Sequence, residues 1–184
     1  ESIFEVQYTT LNRNSIAFWF FPQEVSGRWG FSPTAELYNL YGAGDTRRDV
    51  SIRITANKRY VYKYPRISTG DDNLILLRLA EMYLIRAEAN ARTGAADATV
   101  LADINILRTR AGTTPVTASG QAALLDAILA ERRLELAFEG HRFFDLRRHG
   151  KAISKLQIDA SKLLLPIPQA ERDVNKNLTQ NPGY

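Results

Sequence analysis

Three glutamates recur at every fourth position in the run ERRLELAFE, which spans residues 131–139. In a helix, Glu131 and Glu135 would lie on one face, about 6 Å apart along the axis. Two carboxylates at such a separation could serve as the acid and the base of a glycoside-cleaving enzyme. Catalytic carboxylates flank a substrate from two sides, however, whereas these would project side by side from one helix. The pattern therefore favours an ion-pair row over a catalytic site.

The glutamates in this row need positively charged partners. Like charges four residues apart on a helix repel each other by roughly 0.2–0.5 kcal/mol. Because Leu134 and Phe138 make the surrounding helix apolar, we expect Glu131 and Glu135 to be at least partly buried and to contact arginines. Five arginines are candidate partners: Arg108, Arg110, Arg132, Arg133 and Arg142.

No other group of residues has the composition of a catalytic or metal site. His141 and His149 are eight residues apart, about 12 Å along a helix, which is too far for them to share one metal ion. The chain contains no cysteine. The Gly-x-Gly at Gly42 and Gly44 lacks the Lys-Ser/Thr of a phosphate-binding loop. The sequence thus predicts no catalytic residue, no metal site and no cofactor.

The aromatic residues between Phe18 and Phe31 are the remaining candidates for a binding site. Exposed Trp and Tyr rings can stack on the faces of sugar rings and leave polar edges for hydrogen bonds. The opposing interpretation, that the rings fill a small core, is the one we favour for Phe18, Phe20 and Phe21. For Trp29 both interpretations stay open, because the glycines around it indicate a surface loop. The candidate ligand-binding residues are Trp29 first, then Arg28 and Trp19.

Length and composition limit the classes of protein to which this chain can belong. The 184 residues are 45% hydrophobic and 24% charged, which is typical of a folded globular domain. The net charge is +4 without a basic stripe, so we expect no nucleic-acid partner. The most apolar stretch, residues 16–22, is far shorter than the roughly 20 residues needed to span a bilayer.

The first part of the chain, residues 1–70, is rich in aromatic residues and has the pattern of short strands and turns. Alternating apolar residues predict three strands, at residues 3–8, 51–55 and 59–64. A turn at residues 56–58 would join the last two strands into a hairpin. Ser32 and Pro33 predict the start of a short helix, as a cap and a first-turn residue.

The second part, residues 71–184, has the period of helices. A first helix is predicted after a capping cluster at residues 71–73, with a buried face made of Leu76, Leu79, Ala80, Tyr83, Leu84, Ala87 and Ala91. Gly94 would end it, and a second helix over residues 97–111 would bury Val100, Ile104 and Leu107. The short connection predicts an antiparallel hairpin of the tetratricopeptide type.

Further helices are predicted over residues 121–139, 141–149 and 169–175, the last after an extended tail segment at residues 163–168. The predicted fold class is therefore mainly α. It comprises a tetratricopeptide-like helix hairpin plus further helices, with a small β-hairpin region near the N-terminus.

Several segments agree in order and spacing with the motifs of a known family. The most specific is residues 131–148, and the others are residues 77–89, 104–112, 164–168 and 177–184, with shorter matches at Pro33-Thr34, residues 45–48 and Lys63-Tyr64. Together they resemble the SusD/RagB family of nutrient-binding outer-membrane lipoproteins. The resemblance extends over residues 1–184 and implies the C-terminal portion of such a protein, with a SusD-like α-α superhelical fold.

The resemblance also implies a function and partners. It implies binding of oligosaccharides, or of peptides in some branches, at the outer face of the outer membrane. It implies a lipid anchor on a residue upstream of this chain, and a SusC-like TonB-dependent transporter over which the protein forms a lid. It implies, further, that this chain associates with a missing N-terminal half of the same protein. Independently of the resemblance, the absence of a catalytic group among the candidate residues above predicts that the chain is not an enzyme.

Two other functions remain as alternatives. One is a helical protein-interaction module without small-ligand binding, and the other is a glycan-cleaving enzyme that uses Glu131 and Glu135. Exposed aromatic rings in residues 18–31 would favour the ligand-binding function. Burial of both glutamates against arginines would exclude the enzyme.

Overall fold

The computed structural model describes all residues, 1–184, and shows a mainly helical chain with two small antiparallel sheets, as predicted. The strands are β1 (Ser2–Val6), β2 (Ile52–Thr55), β3 (Lys58–Val61) and β4 (Leu74–Arg78). The helices are α1 (Ile16–Phe20), α2 (Ala35–Leu40), α3 (Thr46–Ser51), α4 (Leu79–Thr93), α5 (Asp97–Arg110), α6 (Gln121–Glu135), α7 (Arg142–Arg148), α8 (Ala152–Leu156) and α9 (Gln169–Val174). Two 3₁₀ turns occupy Gln23–Val25 and Ala160–Leu163.

The chain divides into two compact units, Glu1–Gly140 and His141–Tyr184. The change of composition near residue 70 therefore falls inside the first unit and marks a change of secondary structure. No helix in the structure combines the length and the apolar character that crossing a membrane requires.

The predicted hairpin in the aromatic-rich part is present. Strand β2 pairs antiparallel with β3, and Thr55 faces Lys58 across the turn. Ala56 and Asn57 both have positive φ angles, of 44° and 63°. Positive φ at both central residues is the geometry that matches the twist of a two-residue hairpin. This hairpin gives the neighbouring aromatic residues a rigid edge to pack against.

The predicted start of the first long helix is wrong. Residues 74–78 form strand β4, which pairs antiparallel with β1, and α4 begins only at Leu79. A short apolar run fits a strand and a helix equally well, and here pairing with strand β1, near the start of the chain, decides the outcome. As a result Leu76 and Leu79, predicted as buried, are 43% and 47% exposed.

The hairpin of α4 and α5 forms the core of the first unit together with α6. Gly94 ends α4 with φ of 77°, as predicted. Tyr83 is half-buried. The remaining residues predicted to face inward are all buried, namely Ala80, Leu84, Ala87, Ala91, Val100, Ile104 and Leu107. Leu124 and Ile128 of α6 pack against the Ala91 end of this hairpin. Leu136 packs against Leu84 and Leu107 at the other end.

Two further helix boundaries differ from the sequence prediction. Helix α6 ends at Glu135 and not at Glu139, because the chain turns at Phe138, whose φ is 67°. Helix α2 begins after Thr34, whose hydroxyl accepts a hydrogen bond from the backbone N–H of Leu37 at 3.1 Å. The cap is therefore Thr34 and not Ser32.

The second unit contains the predicted helix α7 and, after Pro168, the predicted helix α9. Its tail is held by hydrogen bonds within the unit. The Tyr184 hydroxyl donates to the Leu164 carbonyl at 3.0 Å, and the Asn181 side chain donates to the Leu165 carbonyl at 2.7 Å. These bonds tie the end of the chain to the extended segment before α9.

Truncation of Leu84, which is fully buried, should destabilise the first unit more than truncation of its neighbour. Leu84→Ala should lower the free energy of unfolding by about 2–5 kcal/mol, because it leaves a cavity between α4 and α5. Ile85 is 48% exposed on the same helix. Ile85→Ala should cost less than about 1 kcal/mol, measured by urea denaturation. Equal losses for the two variants would contradict the assignment of this core.

Candidate functional site

The predicted glutamate row is buried and is surrounded by arginines. The side chains of Glu131 and Glu135 are each only 2% exposed. Glu131 accepts hydrogen bonds from Arg47 and, at 2.9 Å, from Arg108. The prediction that this row is buried and paired with arginine is therefore confirmed for Glu131.

Glu135 lies at the centre of this row. It accepts hydrogen bonds from Arg78 at 2.6 Å, from Arg47 at 3.0 Å and from Arg110. Burial by itself would raise the pKa of Glu135, but the hydrogen bonds and charges of Arg78 and Arg110 outweigh it and lower the pKa to about 2. Glu135 is therefore ionised at neutral pH and cannot serve as a proton donor.

We call Glu131, Glu135 and their four arginines the buried ion cluster. Arg47 comes from α3, Arg78 from the end of β4, and Arg108 and Arg110 from α5, so that α6 is tied to three other elements. Opposite charges raise the pKa values of Arg47 and Arg78 despite the cost of burying them. The cluster is thus the electrostatic centre of the first unit.

Only part of this cluster could be predicted from the sequence. Arg108 and Arg110 are partners, as predicted, whereas Arg132 pairs with Glu81 and Arg133 with Glu36. Arg142, the fifth candidate, lies in the second unit. The sequence prediction missed Arg47 and Arg78. An arginine between leucines, as in Leu77-Arg78-Leu79, was the available signal, because a charged residue in an apolar run is buried only with a partner.

The buried ion cluster does not have the geometry of a glycosidase site. Its two carboxylates lie on one helix face, and arginines occupy their oxygens, whereas catalysis needs two carboxylates on opposite sides of a substrate. A cleft of about 380 Å³ borders the cluster, and its lining includes Glu139, which is paired with Arg78 and Lys63. This geometry therefore argues against cleavage by Glu131 and Glu135.

Metal-ligating side chains are not grouped in this structure. Nowhere do three His, Cys, Asp or Glu side chains come together in a way that could hold a metal ion.

The aromatic segment, which we define as residues 18–31, folds back on itself. The N–H groups of Arg28, Trp29 and Gly30 donate to the carbonyls of Phe18, Phe21 and Trp19, respectively, at 2.7–2.8 Å. A Cβ atom at Gly27 would lie 1.9 Å from the Phe21 carbonyl oxygen, so only glycine fits at this position. The segment thus consists of the end of α1, the first 3₁₀ turn and a returning stretch that is hydrogen-bonded to α1, and we call this arrangement the ribbon.

One end of this ribbon is anchored in a small aromatic core. Phe21 is buried, and its ring centroid lies 4.8 Å from that of Tyr60 on β3. Phe20 is half-buried and stacks on Tyr64, with 12° between the ring planes. The packing interpretation is thus confirmed for Phe21 and holds in part for Phe20, but it is wrong for Phe18, which is 42% exposed.

The three predicted ligand-binding residues lie on the outer part of the ribbon. Trp19 and Trp29 are each 38% exposed. The Arg28 guanidinium lies over the Trp19 ring, 4.6 Å from its centroid. Phe31, which is 63% exposed, packs beside Trp19 at 6.2 Å between ring centroids. The structure therefore brings Trp19 and Arg28 together and adds Phe31, which the sequence analysis did not select.

Trp29 is held separately against the turn of the β2–β3 hairpin. Its indole Nε1 donates to the Arg59 carbonyl at 3.2 Å, and the Lys58 ammonium lies 5.0 Å from its ring centroid. Its φ of 53° is unusual for a bulky residue and costs about 1–2 kcal/mol. The hydrogen bonds on both sides of Trp29 keep this indole partly exposed in a fixed orientation.

Comparison with known proteins agrees with this architecture. The model of the SusD family matches residues 47–162. The SusD-like protein P2 of Formosa agariphila is 30% identical, over 83% of this chain and 40% of its own length. A solved laminarin-binding SusD-like protein matches with a TM-score of 0.82 and 31% identity, over 100% of this chain and 50% of its own.

A further solved structure contains a ligand. Surface glycan-binding protein A from Bacteroides thetaiotaomicron, in complex with laminarihexaose, matches with a TM-score of 0.78 and 27% identity. The match covers 98% of this chain and 52% of that protein. The chain thus spans about half the length of these solved structures and 40% of the length of P2.

Removal of the central charge of the buried ion cluster should destabilise the protein. Glu135→Gln removes the buried carboxylate that Arg47, Arg78 and Arg110 share, and should cost about 3 kcal/mol in the free energy of unfolding, because Arg47 and Arg78 are each only 9% exposed. Glu36→Gln is the matched control, because the Glu36 side chain pairs with Arg133 while 70% exposed. It should cost less than about 1 kcal/mol in urea denaturation. A loss at Glu135 no larger than that of the control would show that the cluster is not the electrostatic centre.

Acid should remove the same stabilisation. The folded-state pKa of Glu135, about 2, lies below its ordinary value of 4.5, so its contribution is present above about pH 4.5 and is lost as the pH falls towards 2. The loss attributable to Glu135 should be on the order of 3 kcal/mol. Stability curves of the wild type and of Glu135→Gln should converge over this range. Parallel curves would contradict the pKa assignment.

Proposed function

The chain belongs to the SusD family, and we propose that it forms part of a surface protein that binds oligosaccharide nutrients without cleaving them. The observation that carries the proposal is the pair of partly exposed indoles, Trp19 and Trp29, on a hydrogen-bonded ribbon. Surface loops held by a rigid scaffold are where binding residues concentrate.

Trp29 is the proposed principal anchor for the ligand. An indole offers a broad apolar face to a sugar ring at little cost in rotamer freedom, because it has only two side-chain torsions. The positive φ of Trp29 supports this role, since a strained backbone that the surroundings hold in place is typical of functional positions. Arg28 and Trp19 are proposed as further ligand contacts beside it.

The relatives support a saccharide as the ligand class. One solved relative is named for laminarin binding, and another was solved with laminarihexaose. We extend binding of this kind to the present chain because its aromatic segment offers exposed rings and fixed polar groups together. A peptide ligand is the other outcome that a binding experiment could return.

The proposal for the whole protein goes beyond this chain. We infer that a lipid anchor on a residue upstream holds the protein at the outer face of the outer membrane. There it would deliver its ligand to a SusC-like TonB-dependent transporter. The N-terminal half of the same protein would complete the binding surface. Family membership supports these inferences, and the pairing of Glu131 and Glu135 with arginines supports binding without catalysis.

Trp29→Ala should weaken oligosaccharide binding by the full-length protein. Loss of a central aromatic anchor typically costs about 2 kcal/mol, roughly thirtyfold in affinity, measured by calorimetric titration with laminarihexaose. Phe144→Ala, which truncates an aromatic ring that is 60% exposed outside the aromatic segment, is the matched control and should bind like the wild type. The oligosaccharide recovered after titration should be uncleaved.

Three results would contradict the proposal in different ways. Unchanged affinity of a folded Trp29→Ala variant would remove Trp29 from the site. New reducing ends in the recovered oligosaccharide would indicate an enzyme. Failure to bind any oligosaccharide, together with capture of a folded protein partner, would favour the alternative of a helical interaction module.

A further inference from the structure

Arg28 differs from the arginines of the buried ion cluster because it has no carboxylate partner. Its side chain is exposed, and its guanidinium takes part in no hydrogen bond or ion pair of the structure. The guanidinium lies over the Trp19 ring, 4.6 Å from the ring centroid. A cation over the face of an indole is attracted to the ring, and this contact leaves the N–H donors of Arg28 without a hydrogen-bond acceptor in the chain.

The surroundings of Arg28 have a surplus of positive charge. The aromatic segment and the β2–β3 region, residues 52–62, contain four basic residues and one acidic residue, Glu24. Glu24 is paired with Lys58 at 2.6 Å. The Arg53 guanidinium donates a hydrogen bond to the Asp49 carbonyl, and the Arg59 guanidinium donates one to the Pro33 carbonyl. Neither arginine has a carboxylate partner. These two stretches together carry a net charge of +3, four basic residues minus one acidic residue.

Trp19 and Trp29 therefore have different parts in this surface. Trp19 is partly covered by Arg28 and lies against Gly30, where a Cβ atom would come within 2.9 Å of the indole. It acts as a support that orients the guanidinium. Trp29 has an indole that is partly exposed and that donates to the Arg59 carbonyl at the start of β3.

We infer that the preferred ligand is an anionic saccharide, whose carboxylate or sulfate group pairs with Arg28 while a neighbouring sugar ring stacks on Trp29. The inference rests on the proposed function and specifies its ligand class. A planar guanidinium with its donors free matches a carboxylate or a sulfate through two parallel hydrogen bonds. An uncharged sugar hydroxyl can accept hydrogen bonds from the same donors, but it lacks the opposite charge and the pair of oxygens that match the guanidinium.

The test compares four probes of matched length by calorimetric titration of the full-length protein. They are laminarihexaose, which is uncharged, a hexamer of galacturonate, a sulfated glucan hexamer and hexaglutamate. At low salt, at least one acidic saccharide should bind about tenfold or more tightly than laminarihexaose. This advantage should shrink at 1 M salt, where the screening length is only about 3 Å. Comparison of the affinities for the galacturonate hexamer and the sulfated hexamer shows whether a carboxylate or a sulfate is preferred.

Variants of Arg28 give the decisive comparison. Arg28→Gln should lower the affinity for the acidic saccharide about tenfold or more, and Arg28→Lys should restore only part of it, because an ammonium keeps the charge but not the paired donors. Arg13→Gln removes the same charge from an exposed arginine outside the aromatic segment and should have no effect. Thermal melting of each variant checks that it is folded.

The possible failures are distinguishable. Laminarihexaose binding as tightly as both acidic saccharides, with no effect of Arg28→Gln, would overturn this inference and leave glycan binding intact. Tighter binding of hexaglutamate than of either acidic saccharide would overturn the assignment to a saccharide. Absence of binding to every saccharide would overturn the proposed function itself.

Discussion

The buried ion cluster is the constraint on which the rest of the first unit depends. Its carboxylates come from α6, and its arginines come from α3, β4 and α5. An ion buried without its partner is far more costly than the pair, so these elements have to reach their positions together. Apolar packing between α4, α5 and α6 brings these helices close together. Apolar contacts tolerate small displacements of a helix, whereas the hydrogen bonds of the cluster require defined distances and angles.

Charged and aromatic residues consequently have separate roles in this chain. The glutamates that most resemble a catalytic pair hold the scaffold together, and Glu135 stays ionised because arginines stabilise its charged form. The residues that can meet a ligand lie on a ribbon anchored to the β2–β3 hairpin through Phe21 and Trp29. The buried ion cluster thus stabilises the fold, while the indoles of Trp19 and Trp29 and the guanidinium of Arg28 remain accessible on the surface.

The sequence predicted the features that depend on local pattern. Helical periodicity gave α4, α5 and their buried faces, and like-charge repulsion predicted arginine partners for Glu131 and Glu135. Features that depend on distant parts of the chain were missed. Residues 74–78 form a strand because β1 pairs with them, and Arg47 and Arg78 reach Glu135 only in the folded chain. Local pattern also left the exposure of Trp29 open, since glycines around an indole do not fix where its ring points.

The central claim is that the ligand meets the indoles of the aromatic segment, and intrinsic fluorescence tests it directly within this chain. Both of its tryptophans, Trp19 and Trp29, lie in that segment. In a titration of the chain with an oligosaccharide, we expect a saturable change in tryptophan emission whose midpoint equals the calorimetric dissociation constant. Binding detected by calorimetry with unchanged emission from both indoles would contradict the claim.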